Sequence, residues 1–152
     1  VLIDKNSPYL KSIILNKGSK DNVKIGMAIA DDSYLVGKII EVNYTNSRAL
    51  LLSDLNSKIP VLLEPLDIHA VLSGSGKDFG LIEYTKDEYK KEINGKEIIV
   101  YTSGYGDLFK SGMPVGKITE NKATGQNIVN FFSDFKQLNY IKIVSYKTGV
   151  TN

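Results

Sequence analysis

His69 is the one histidine of the chain, so any serine-protease chemistry would have to be built on it. A triad needs the imidazole within hydrogen-bond reach of a serine and of an aspartate or glutamate, with an oxyanion hole beside them. His69 follows Asp67-Ile68 at the start of an expected strand, with no nucleophile motif around it. It reads as an ordinary strand-end histidine, and a divergent trypsin-like hydrolase using His69 is carried as the alternative function. Ser73-Gly74-Ser75-Gly76-Lys77-Asp78 has the outline of a phosphate loop. Val71 stands where that loop needs its first glycine, however, and Asp78 where it needs a hydroxyl for Mg²⁺. No helix is expected behind it to offer a positive dipole end, so its glycines mark a β-turn. Gly104-Tyr105-Gly106 fails the dinucleotide fingerprint because Phe109 occupies the third glycine position. The adjacent acids Asp31-Asp32 and Asp87-Glu88 lack calcium-loop spacing and read as solvated turn residues. With no cysteine in the chain, disulfides, thiolate nucleophiles and thiolate metal sites fall away together. The expectation is a protein without enzymatic activity, cofactor or metal.

What remains that could recognise something is aromatic. Tyr105, Leu108 and Phe109 lie between two turn signals, and Phe131, Phe132 and Phe135 gather at the approach to the last expected strand. Nine Tyr and five Phe without a Trp make a modest stock for an interface. Two readings stay open: the rings cap the ends of a barrel, or they meet a partner.

Composition narrows the partner. A net charge of +2 is too small for an electrostatic footprint on nucleic acid. Arg48 is the sole arginine among 19 Lys and Arg, and arginine carries the planar fork that reads phosphate and guanine. No nucleic-acid partner is expected. Apolar runs stop well short of the roughly 18 residues of a membrane span. The chain opens at Val1 with no initiator Met, which leaves room for a longer protein and for a membrane anchor outside this sequence.

The elements that must position these residues are strands. Lys11 to Asn16, Met27 to Asp31, Leu35 to Val42, Arg48 to Ser53 and Ile59 to Leu63 are short, apolar and bounded by turn residues. A second series runs Ala70 to Ser73, Gly80 to Thr85, Glu97 to Thr102, Val115 to Thr119 and Tyr140 to Tyr146. Short strands spaced by roughly 8–12 residues indicate an all-β sandwich or barrel. Ala49-Leu50-Leu51-Leu52 is apolar on both faces, as expected where one face fills a core and the other meets a neighbour. Lys86 to Ile93 reads as a loop with a helical turn, and Glu120 to Asn130 as a polar loop. Pro65 suggests a division near Leu63 to Asp67, giving a first β-barrel at residues 1–66 and a second at 67–152. The last strand belongs either to the second barrel or to the first. A small-ligand barrel would need a closed apolar cavity, which two-sided strands disfavour.

Several stretches together resemble the periplasmic core of the MreC family of rod shape-determining proteins. They are Leu15-Asn16-Lys17-Gly18-Ser19 with Val23-Lys24-Ile25-Gly26-Met27, then Leu35-Val36-Gly37-Lys38-Ile39 and Ser47-Arg48-Ala49-Leu50-Leu51-Leu52. Asp54-Leu55-Asn56-Ser57-Lys58-Ile59-Pro60-Val61, Val71-Leu72-Ser73-Gly74, Tyr101-Thr102-Ser103-Gly104 and Gly112-Met113-Pro114-Val115-Gly116 complete the set. In order they cover roughly residues 13 to 119. Departures fall on loops: Asn22 and Tyr34 replace usual glycines, Lys96 a usual Asp and Lys110 a usual Pro. Asn22 is explicable, since Asn tolerates left-handed backbone better than most residues.

The resemblance implies two small β-barrels of chymotrypsin-like shape with no catalytic triad. It implies an extracytoplasmic, periplasmic location, with anchoring in the inner membrane by an N-terminal helix and coiled coil absent from this sequence. It further implies a scaffold of cell elongation that self-associates as a dimer or filament. Its implied partners are MreD, the actin-like MreB system and a class B penicillin-binding transpeptidase. Candidate partner-binding residues are Tyr105, Leu108 and Phe109, with Tyr34 beside its turn as a fourth.

Overall fold

Alternation along a strand decides which core each side chain enters, because successive residues point to opposite faces. In the computed structural model, which describes residues 2–3, 11–84, 96–104, 110–120, 123–138 and 140–144, the strand Ala28–Asp31 shows this directly. Ala28 and Ala30 join one apolar cluster while Ile29 joins another. The next strand repeats the division, with Leu35 in the first cluster and Val36 in the second. These central strands are buried on both faces, which is why their sequence is almost continuously apolar.

The strands are β1 (Leu2–Ile3), β2 (Ser12–Leu15), β3 (Ala28–Asp31), β4 (Tyr34–Val42), β5 (Ser47–Leu51), β6 (Lys58–Glu64), β7 (Ile68–Gly74), β8 (Phe79–Tyr84), β9 (Ile99–Thr102), β10 (Pro114–Glu120), β11 (Asn127–Phe131) and β12 (Ile141–Val144). A 3₁₀ turn at Ser19–Asp21 ends at Asn22, whose φ of 67° is the left-handed conformation expected of it. Six strands form an open sheet in the order β1-β2-β5-β4-β3-β12, and six close into a barrel in the order β10-β11-β8-β7-β6-β9. The all-β, two-unit expectation is met, with the first unit a half-barrel and the second a closed barrel.

The change of sheet falls between β5 and β6. Pro65 to Asp67 form the turn of the β6–β7 hairpin, with Leu63 opposite Ile68, and β6 also pairs with β9. The point at which the sequence reading divides the chain, residue 66, therefore lies inside the closed barrel. Proline interrupts strand pairing at a hairpin turn as effectively as at a boundary, and Asp67 completes the turn at φ 57°. At the other end, β12 crosses back to the first sheet and pairs antiparallel with β3, Ile141 opposite Asp31 and Val144 opposite Ala28.

One expectation is corrected. The polar stretch Glu120 to Asn130 is not all loop: Asn127–Phe131 is strand β11, paired with both β10 and β8. Only Val129 on it is fully buried, so the alternation is too sparse for the sequence to show. The Asn130 side-chain amide donates to the Thr119 hydroxyl across the hairpin, which makes an asparagine a strand residue. Lys86 to Ile93 lie outside the described residues.

Both units share a core. The barrel interior, with Val61, Leu63, Leu72, Val100, Val115 and Val129, is continuous with Ala28, Ala30, Leu35 and Leu52 of the sheet and its exit. Ile13, Leu15, Ile29, Val36, Ile39 and Ala49 fill the sheet's other face. No helix among the described residues is long and apolar enough to cross a membrane.

Candidate functional site: an aromatic seam

The β3–β4 turn is tight. Asp32 takes φ 57°, a conformation Asp tolerates better than most residues, and Tyr34 then lies opposite Asp31 at the start of β4. Its ring leaves the sheet toward the barrel and meets Phe132, with centroids 5.2 Å apart and planes tilted by 41°. Tilted pairs at this distance suit the quadrupoles of the two rings. Phe132 directly follows β11, and its N–H donates to the Val115 carbonyl at 3.1 Å, fixing it on the barrel. Tyr34 and Phe132 nonetheless remain 37% and 39% exposed. Behind them Phe131 and Phe135 stack at 4.8 Å, and Phe135 packs against both apolar clusters. The seam between sheet and barrel thus ends in an accessible aromatic pair, one ring from each unit.

Tyr105, Leu108 and Phe109 lie outside the described residues, but the residues bracketing them are pinned. Buried Thr102 donates its hydroxyl to the Lys110 carbonyl at 2.6 Å and accepts the Met113 N–H at 2.9 Å. Its own N–H donates to the Met113 carbonyl, and the Gly112 N–H donates back to its carbonyl. Gly104 enters the segment at φ 71°, where a Cβ would lie 2.8 Å from the Ser111 Cβ. A side chain there would meet both backbone strain and a clash.

The other chemistry-bearing residues are dispersed. His69 is exposed on β7, directly opposite Leu62, which itself lies opposite Tyr101. Ser73 to Asp78 make the β7–β8 hairpin, where the Ser75 hydroxyl donates to the Phe79 carbonyl at 2.6 Å and accepts the Lys77 N–H. Asp31 is held in β3 between β4 and β12, and Asp87-Glu88 lie outside the described residues. No group of three His, Asp or Glu that could hold a metal occurs among the described residues. Burial raises the Tyr84 hydroxyl above its ordinary pKa of 10.0, and the Asn127 side chain opposes the shift.

Two residues escaped the sequence reading. The sequence groups Phe132 with its neighbours but not with Tyr34, because the pairing is made only when β11 closes the barrel beside the β3–β4 turn. Asp54 lay within a matching stretch, yet it is 2% exposed, and nothing in its local pattern marks a buried carboxylate.

The arrangement is an all-β framework, a half-barrel sheet and a closed barrel, with an accessible aromatic pair where the two meet. Comparison places it more narrowly. The family model described as rod shape-determining protein MreC, barrel core, matches residues 1–145. The cell shape-determining protein MreC of Cereibacter sphaeroides is 31% identical over 144 residues, 95% of this chain and 47% of that protein. The crystal structure of MreC from Pseudomonas aeruginosa superposes with a TM-score of 0.79 at 27% identity, covering 95% of each chain. A complex between a penicillin-binding protein and MreC from Helicobacter pylori shares the fold, with a TM-score of 0.63 at 18% identity over 92% of this chain and 88% of that one. The chain belongs to the MreC family and comprises its barrel core. It spans less than half the length of the curated relatives it matches first.

Proposed function

We propose that this chain is a non-catalytic scaffold of the bacterial cell-elongation machinery, acting on the periplasmic side of the inner membrane. It works by self-association and by holding a class B penicillin-binding transpeptidase, with MreD and the MreB system as further members of the assembly. The observation that carries the reading is the exposed Tyr34–Phe132 pair on the seam of the two units. Exposed aromatics on a rigid frame present large contact area at small entropic cost, and such rings dominate binding energy at interfaces. Family membership supports the role in cell shape, and the Helicobacter pylori relative is seen with a penicillin-binding protein. A scaffold of this kind alters its partner by population shift, which requires tighter binding to the active conformation.

The test compares two double variants with the unchanged chain in binding to the soluble part of a rod-system transpeptidase. Tyr34→Ser with Phe132→Ser, and separately Tyr105→Ser with Phe109→Ser, are each expected to weaken binding or self-association about tenfold or more, about 1.4 kcal/mol. Unchanged association in a folded variant would remove that pair from the interface.

A further inference from the structure

Leu52 to Ser57 carry the chain from sheet to barrel, and this connection is unlike an ordinary exposed loop. Ser53, Asp54 and Ser57 are all buried. A buried carboxylate is costly unless its oxygens are satisfied. Here one Asp54 oxygen accepts the Lys11 N–H at 2.6 Å and the other the Asn56 N–H at 2.7 Å. Lys11 is the residue from which the chain enters β2, and its carbonyl accepts the Leu51 N–H at 2.9 Å. The connection is thereby tied to the entering strand.

It is tied equally to the units on either side. The Leu52 N–H donates to the Val36 carbonyl of β4, while the Gly74 N–H donates to Ser57 and the Gly76 N–H to Ser53. Gly74 packs so closely that a Cβ would lie 1.9 Å from the Asp54 carbonyl oxygen. The Leu55 side chain covers Gly76, and the Lys11 ammonium reaches the Lys77 carbonyl at 3.5 Å, the outer limit of a hydrogen bond.

We propose that Asp54 is the latch of the joint between sheet and barrel: its carboxylate ties the connection to the start of β2, and its backbone packs against Gly74 of the barrel hairpin. One residue thereby touches β2, the connection and the barrel hairpin together. The inference rests on the fold and is independent of the partner.

A chain without native cysteine takes a clean pair of spin labels, at Lys20→Cys on the sheet side and Lys96→Cys on the barrel, both exposed. The distance distribution by double electron–electron resonance is expected to be narrow. Asp54→Ala is expected to broaden it at unchanged far-ultraviolet circular dichroism, and Gly74→Ala to do so by displacing the connection. A distribution as narrow in folded Asp54→Ala as in its parent would overturn the proposal. Should Asp54→Ala not fold, amide exchange in the unsubstituted protein decides. Lys11 and Asn56 are expected to exchange about tenfold or more slower than a free peptide, and free-peptide rates would overturn the latch.

Discussion

Thr102 fastens the backbone on the far side of the Tyr105 to Phe109 segment, since its single hydroxyl donates to the Lys110 carbonyl and accepts the Met113 N–H. Thr102→Val keeps the shape and orphans the buried Met113 N–H, which costs roughly 1–3 kcal/mol. Chemical denaturation is expected to show a loss in that range, and a neutral substitution would mean that water replaces the hydroxyl. Tyr84 provides a pH prediction. Its pKa is raised on folding, so the native state holds its proton more tightly than the unfolded chain. The associated stability is present below pH ~10 and is lost as pH rises through the folded value. Tyr84→Phe is expected to lessen the fall in stability above pH ~10, measured as the difference between the two denaturation curves. His69 belongs to this scale as well. A fluorophosphonate probe is expected to leave the chain unlabelled, whereas labelling that disappears in His69→Ala would revive the hydrolase reading.

At the scale of elements, the strands of the first sheet were legible because they are apolar on both faces and separated by Gly, Asn and Asp turns. β4 is the clearest case, with Leu35 and Val36 buried in different clusters. Truncating Leu35 leaves a cavity in the core shared by sheet and barrel, and Leu35→Ala is expected to cost about 2–5 kcal/mol. A loss below about 1 kcal/mol would show that the shared core collapses around the gap. β11 is illegible for the opposite reason: its inward payload is essentially Val129, and Asn130 is satisfied across the hairpin rather than by a local motif. Its status as a strand is expected to appear as slowed amide exchange at residues paired with β10. The sheet change between Leu51 and Lys58 was hidden by a stronger signal nearby, Pro65, whose turn lies inside the barrel. Of the candidate contact residues, Tyr34 was legible as a large ring at a turn. Its partner Phe132 was not, since barrel closure alone brings the two together.

For the whole molecule, the apolar cluster running from the barrel into Ala28, Ala30, Leu35 and Leu52 and the return of β12 to the first sheet make the two units interdependent. The joint at Asp54 adds a polar tie where the chain passes between them. A molecule so connected presents the surfaces of both units together, as the proposed scaffold requires. Sedimentation of this chain across a concentration series, alone and with the soluble part of a rod-system transpeptidase, tests the proposed scaffold most directly. The expected result is a boundary that shifts with concentration or with the transpeptidase, and a reduced shift in the Tyr34→Ser, Phe132→Ser variant. A strict monomer whose boundary ignores the transpeptidase would contradict it.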